Sequence, residues 1–410
     1  MLDFLSFLKS APTSYHCVKE VKDRLRKDGF VALEESSLWE MQKGGKYFVS
    51  RGGSIAAFCL PKQAPKSIAL LAAHTDSPAL KVKPQPLSTH EGMHVLGVEV
   101  YGGPILHSWL NRDLALAGRC FLSNGKEELV FLDKTPFMIP ELAIHLNREV
   151  NKGTPINRQN HLMPLVSMAD PSAPLTISSF LPFKDVVSFD LFLVPIQPPS
   201  LLGLNQEWIA SYRLDNLTSV YAATEAICSY KESEVLPLTV FFDHEEIGSR
   251  SWEGAASSFA NDTLTRIKSF LALSEEEFLV LKRNSLCHSL DMAHAVSPLH
   301  GAKHDPEHKP LLGKGIVIKE NSDQKYATSA YTLSLVQAFA KKANISTQPF
   351  VCRSDMPSGS TIGPFITTST GIATVDLGCP QLSMHSTREI ISVNDYLDSI
   401  AYLKQALTPL

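Results

Sequence analysis

From Ser14 to Phe30, in SYHCVKEVKDRLRKDGF, apolar residues recur at Val18, Val21 and Leu25, and the stretch closes on Gly29. This spacing predicts a helix with one buried face, ended by a glycine suited to a C-cap. Short β-like runs follow, KYFVSR, SIAAFCL and SIALLAAH. The last is continuously apolar and bounded by turn formers, the pattern of a strand buried on both faces. It ends in HTDSP, which puts polar chemistry at the C-terminal end of a buried strand. From about Lys83 the texture changes to β segments broken by proline and glycine, among them GVEVYGGPIL, LALAGRCFL and VVSFDLFLVPI, with helical periodicity only around ELAIHLNREVNKG. Near Tyr212 helices and strands alternate again to the C-terminus. The pattern predicts an α/β domain built from residues 1–84 and 212–410 and interrupted by a β-rich insert over 85–211. A linear division into two domains is the alternative.

Composition narrows the function classes. The chain has 410 residues, a length at which more than one domain is usual. Hydrophobic residues make up 44% and charged residues 20%, an ordinary soluble profile, and the net charge of −4 carries no basic surplus for nucleic acid or anionic lipid. Neither a nucleic-acid nor a membrane partner is expected. The seven cysteines are scattered and form no C-x-x-C pair, which argues against a disulfide framework or a thiolate zinc site and favours a reducing, cytoplasmic compartment. The first residues lack a basic n-region, and no run approaches the roughly 20 apolar residues of a spanning helix.

The chemistry gathers at a few places. The strand-like run VLPLTVFFD delivers two adjacent glutamates, Glu245 and Glu246, at its end and before Gly248. Two neighbouring carboxylates repel each other, so something must hold them. Four further places put ligand-type side chains at the end of an apolar run or in a turn: His74 and Asp76 in LLAAHTDSP, Asp215 in SYRLDNLTS, Asp291 in CHSLDMAHA and His385 in QLSMHSTRE. Singly, each is more often a satisfied core or capping residue. Together, two histidines and three carboxylates match a two-metal hydrolytic site with one bridging carboxylate. Imidazole and carboxylate without thiolate suit zinc, with manganese or cobalt as substitutes. One glutamate then binds metal while its neighbour takes a proton from water, and the carboxylate of H-T-D fixes the second ring nitrogen of His74. His244 is expected to point away from this site. His288, His294, His300, His304 and His308 fall in or near a loop rich in proline and glycine and are expected to be mostly exposed.

The ordered motifs AAHTDSP, YGGPILHSWLNRDLALAGR, RLDNL, DHEEIGS, DMAHAV, IKENSDQKYA, DMPSGSTIGP and LGCPQLSMHSTRE resemble those of the aspartyl aminopeptidase family of di-zinc metallopeptidases, nearly from end to end. The resemblance implies a mixed-sheet α/β zinc-peptidase catalytic domain whose β-rich insert builds subunit contacts, in a homo-oligomeric dodecamer acting on peptides. It implies two divalent ions per subunit: one on His74 and Asp291, the other on Glu246 and His385, with Asp215 between them. Asp76 would orient His74, and Glu245 would be the general base. Lys319 would sit in the specificity pocket and favour N-terminal Asp or Glu, and His145 of the insert would reach a neighbouring subunit's site. Asn111 stands where an acidic residue is expected. The residues alone leave other readings open, namely a di-metal deacylase or carboxypeptidase of the same superfamily, or a self-assembling scaffold without turnover.

Overall fold

The computed structural model describes residues 1–170 and 175–409. The anticipated N-terminal helix spans Ser14–Lys27 and buries Val18, Val21 and Leu25. Gly29 follows it at φ +84, and Phe30 N–H reaches back to the Leu25 carbonyl at 3.0 Å, the closure a glycine permits. A shorter helix, Leu2–Ser10, precedes it and buries Phe4, Phe7 and Leu8 in the same core.

Among the described residues the strands form three sheets. At the centre of a nine-stranded sheet, four neighbours run parallel in the order Val235–Phe242, Ser67–His74, Leu286–Leu290 and Ala373–Gly378. Every residue of Ser67–His74 except Ser67 is buried, as its unbroken apolar run requires. Antiparallel partners make the sheet mixed: Ser54–Cys59 on one side and Ile316–Glu320 on the other. Helices, among them Leu214–Cys228 and Val393–Ala406, cover it and share its main core.

A six-stranded antiparallel sheet is drawn from Ala79 to Pro195 and has its own core around Trp109, Leu116 and Leu193. The small third sheet joins Ser200–Leu202 and Trp208–Ser211 to Glu389–Ser392, Pro380–Leu382 and Ala293–His294. Arg119 of the six-stranded sheet stacks 4.0 Å over the Tyr15 ring, donates to Asp190 and lies 3.5 Å from the buried Glu253. It therefore ties this sheet to the N-terminal helix and to the loop after the glutamate pair.

One expectation fails. ELAIHLNREVNKG forms turns and a single 3₁₀ turn, Val150–Lys152, and no α-helix. Leu142, Ile144 and Leu146 are exposed, so the apolar stripe has no surface in this chain to pack on, and so short an amphipathic segment does not hold a helix unaided. Asn111 adopts φ +55, a conformation asparagine tolerates well, and its side-chain carbonyl accepts the Glu141 N–H at 3.0 Å where that segment begins.

Candidate metal centre

Chemistry-bearing residues sit at or just beyond the C-terminal ends of three adjacent parallel strands, where open α/β sheets place their ligands. His74 is the last residue of its strand and pairs in register with Phe242, three residues before Glu245. Asp291 follows Leu290, and its N–H donates to the Leu377 carbonyl at 3.0 Å. Two candidate ligands thus have their backbone positions set by sheet register.

Asp215 comes from elsewhere, the irregular start of the helix Leu214–Cys228, where its φ/ψ of −83/105 departs from helical. One of its oxygens, Oδ1, lies 3.3 Å from His74 Nε2, which is 3.5 Å from Asp291 Oδ1. The other, Oδ2, lies 3.6 Å from His385 Nε2, which is 3.4 Å from Glu246 Oε2. Three candidate ligand groups result, each with ligand atoms within 4.8 Å of one another: His74–Asp215–Asp291 and Asp215–Glu246–His385 share Asp215, and His74–Glu245–Glu246 joins the glutamate pair to the first histidine. His74 Nδ1 donates to the Asp76 backbone carbonyl at 3.2 Å, with Asp76 Oδ1 at 3.4 Å, and His385 Nδ1 donates to the Gly103 carbonyl at 3.1 Å. Both rings therefore turn Nε2 inward toward the carboxylates, the orientation of metal-ligating histidines. Asp215 Oδ1 and Glu246 Oε1 are buried acceptors without a hydrogen-bond donor. Such orphans are rare in native proteins, and cations between these groups satisfy both.

The glutamate pair is not at a strand end. The strand stops at Phe242, His244 takes φ +64, and Glu245–Ile247 form a 3₁₀ turn. The carboxylate of Asp76 holds that turn, accepting the N–H groups of Glu245 and Glu246 at 3.1 Å each and the Tyr101 hydroxyl at 2.8 Å. Asp76 thus braces the glutamates as well as His74. A Cβ at Gly102, which has φ +71, would come within 3.2 Å of Glu246 Cβ, so glycine is required for this close approach. His244 is turned away, with Nδ1 2.7 Å from Ser251 Oγ.

Electrostatics follow from burial. Burial, reinforced by Asp291, Asp76 and Asp215, pushes the Glu245 carboxyl up to about 8, and burial raises Glu246 well above the carboxylate range. Burial alone would lower both histidines, but Asp215, with Asp291 at His74 and Glu246 at His385, more than offsets it. His385 stands at about 10 and His74 well above its ordinary value. Without cations the site therefore holds protons where metal ions fit.

Lys319 is buried rather than at the surface. Its Nζ donates to Asp291 Oδ2 and to the Met292 carbonyl, each at 3.1 Å, and lies 5.2 Å from the Tyr326 ring. Tyr326 in turn lines a cavity with His294, Lys303, Phe350, Arg353 and Gln381. His145 lies in an exposed turn, outside the cluster formed by this chain. His288 corrects the expectation of exposure: it is fully buried in its strand, with Nδ1 3.2 Å from the Tyr402 hydroxyl.

Sequence reasoning assigned no role to Tyr101, Gly103 or Glu389. Glu389 is 1% exposed, and burial next to the Asp215 charge raises its carboxyl to about 8. All three lay inside motifs already singled out, YGGPIL and SMHSTRE, but only the fold shows what they touch.

A family model described as aminopeptidase I zinc metalloprotease (M18) matches residues 7–406. A probable M18 family aminopeptidase 2 of Streptomyces coelicolor is 39% identical over 406 residues, 96% of this chain and 94% of its own length. A solved structure of the Ape4 and Nbr1 complex superposes with a TM-score of 0.92 at 34% identity, covering 98% of this chain and 84% of that one. The mApe1 dodecamer of Saccharomyces cerevisiae superposes with 0.84 at 26% identity, covering 98% and 95%.

Proposed function

Because the chain belongs to the M18 family of aminopeptidase I zinc metalloproteases, we propose that it is an aminopeptidase that removes N-terminal residues, acidic ones by preference, with water activated between two divalent ions, most simply zinc. The observation that carries this reading is Asp215, whose two carboxylate oxygens face two different histidines, each with a further carboxylate beside it. His74 and Asp291 would hold one ion, Glu246 and His385 the other, and Asp215 both. When bound, such ions supply Lewis acidity for the scissile carbonyl and lower the pKa of the attacking water.

The chain's own residues do the rest. Glu245, beside the ligands but with no assigned ion, takes the proton of the attacking water and passes it to the leaving amine, the work of a general base and then acid. Asp76 keeps it in reach by holding its backbone N–H. The peptide's free α-amino group is anchored at the site, which limits cleavage to the first residue.

The acidic preference rests on Lys319. Its buried ammonium lies over the ring of Tyr326, which lines a cavity that also presents His294, Lys303 and Arg353, and this charge suits a substrate carboxylate. A neutral substrate side chain forgoes that pairing, which discriminates strongly in a buried site. The test is kcat/KM for aspartyl, glutamyl, leucyl and lysyl substrates with metal supplied. Faster leucyl or lysyl cleavage removes the acidic preference, and no cleavage of any unblocked peptide removes the activity.

The β-rich insert, residues 85–211, is proposed to build a homo-oligomer, a dodecamer by likeness to mApe1. Leu142, Ile144 and Leu146 are exposed around His145, an apolar surface that suits another subunit. If His145 serves a neighbouring site, a dissociated variant is folded and metal-loaded yet poorly active; full activity in a dissociated form contradicts this. A cytoplasmic location fits the seven free cysteines, and among the described residues no helix is long and apolar enough to cross a membrane.

A further inference from the structure

Asp215 and His385 share a feature that the strand-borne ligands lack: both sit on irregular backbone, Asp215 at a non-helical φ/ψ inside a helix start and His385 at φ +67. Neither is placed by a ladder hydrogen bond. Their backbone N–H groups instead meet at one buried carboxylate. Glu389, at the start of the strand Glu389–Ser392, accepts the His385 N–H on Oε1 at 2.7 Å and the Asp215 N–H on Oε2 at 3.1 Å. The strand itself is fixed, since Glu389 pairs with Ser211 in an antiparallel ladder. One side chain thus locks the spacing between two ligand residues that are 170 positions apart in the sequence.

We infer that Glu389 is a positioning residue for one half of the metal centre: it sets the Asp215–His385 spacing and so governs the ion held by Asp215, Glu246 and His385, more than the ion held by His74 and Asp291. The inference rests on the two-ion reading above. A carboxylate is needed for the task because both of its oxygens accept. A glutamine keeps the shape but turns an N–H₂ toward one of the two backbone donors, and an aspartate keeps the charge but is too short to reach both. Loss of an outer partner of this kind costs roughly 10–100-fold in metal affinity.

The experiment uses the full chain. Parent, Glu389→Gln, Glu389→Asp and, as a reference for the second site, Glu246→Gln are stripped of metal and titrated with Co²⁺, followed by visible absorption and chelator competition. Amide exchange at Asp215 and His385 is read in the metal-free proteins. The parent is expected to take two ions. Both Glu389 variants are expected to weaken roughly 10–100-fold at the site that Glu246→Gln loses, to change much less at the other, and to exchange both amides faster. Excess metal restores their turnover, as it does not for Glu245→Gln. Unchanged affinity at that site, or an equal loss at both, overturns the inference. So does a lower melting temperature with both affinities intact, which would make Glu389 structural only. If the Gln variant fails to fold, the Asp variant decides. A parent that binds fewer than two ions sinks the two-ion reading itself, an outcome separate from any behaviour of the variants.

Discussion

The two halves of the proposed metal centre are built differently. His74 and Asp291 ride on the ends of adjacent parallel strands, and their positions follow from ladder pairing, Phe242 with His74 and the Asp291 N–H on the Leu377 carbonyl. Glu246 and His385 stand on turns with left-handed residues, His244 at φ +64 and His385 itself at φ +67. Their positions depend on two buried carboxylates that accept backbone N–H groups: Asp76 beneath the glutamate turn and Glu389 beneath Asp215 and His385. Sheet register places ligands as a by-product of folding. The loop half needs dedicated acceptors, and each is itself a carboxylate buried at a cost. The strand half should therefore persist without metal, while the loop half should depend on its braces and on the ions.

The largest effect separates two neighbours on the same turn. Glu245→Gln keeps volume and removes the proposed base, so turnover should fall roughly 10²–10⁴-fold with metal content unchanged. Glu246→Gln should lose metal as well. Equal stoichiometry and equal residual activity in the two variants would erase the division of labour, and elemental analysis alongside the assay decides.

Removing metal should expose the contrast between the halves. An ion held at a free concentration of 1,000 times its dissociation constant stabilises the fold by about 4 kcal/mol. Chelation should lower the melting temperature, and hydrogen exchange should quicken first around residues 244–249 and 383–386, with the strand Ser67–His74 still protected. Uniform loss of protection would remove the distinction.

The proposed specificity touches the strand half through Lys319, which donates to Asp291 Oδ2. Lys319→Met should lower the ratio of aspartyl to leucyl kcat/KM by about 10-fold or more, since a lost buried charge pairing costs roughly 1–3 kcal/mol. The ratio matters because any effect on metal through Asp291 slows both substrates alike. An unchanged ratio makes Lys319 a brace for Asp291 and not a selector.

The smallest effect is protonic. In the metal-free protein the surrounding carboxylates raise His385 to about 10, which favours its protonated form at pH 7, and shift His74 in the same direction. Ligation needs neutral imidazole, so loading at pH 7 should release protons and affinity should rise with pH. Calorimetry in buffers of different ionisation enthalpy measures the release. Proton uptake on loading would contradict this account of the site.

The strand half was the more legible in the sequence. SIALLAAH announced a buried strand ending in a ligand-type side chain, because a residue on a regular element is placed by the element's own period. The ligand types of Asp215, Glu246 and His385 were also visible, but their braces were not. Gly103 and Glu389 act through hydrogen bonds to residues more than a hundred positions away or to irregular backbone, Tyr101 through one to a carboxylate in another strand's loop, and no local pattern encodes such contacts. Asp76 was legible only as a partner of His74; its hold on the glutamate turn depends on a turn that the sequence suggested as a strand end. Around His145 the opposite error arose, since ELAIHLNREVNKG has helical spacing but no surface within its own chain to make a helix worthwhile.

The central claim is that this chain is a two-ion aminopeptidase whose ions share Asp215. The most direct test is to titrate the metal-free protein with zinc while following hydrolysis of an aspartyl substrate, with bound metal counted at each step. The account predicts that activity and bound metal level off together at two ions per chain. Full activity at one ion per chain, with the second site empty, would contradict it.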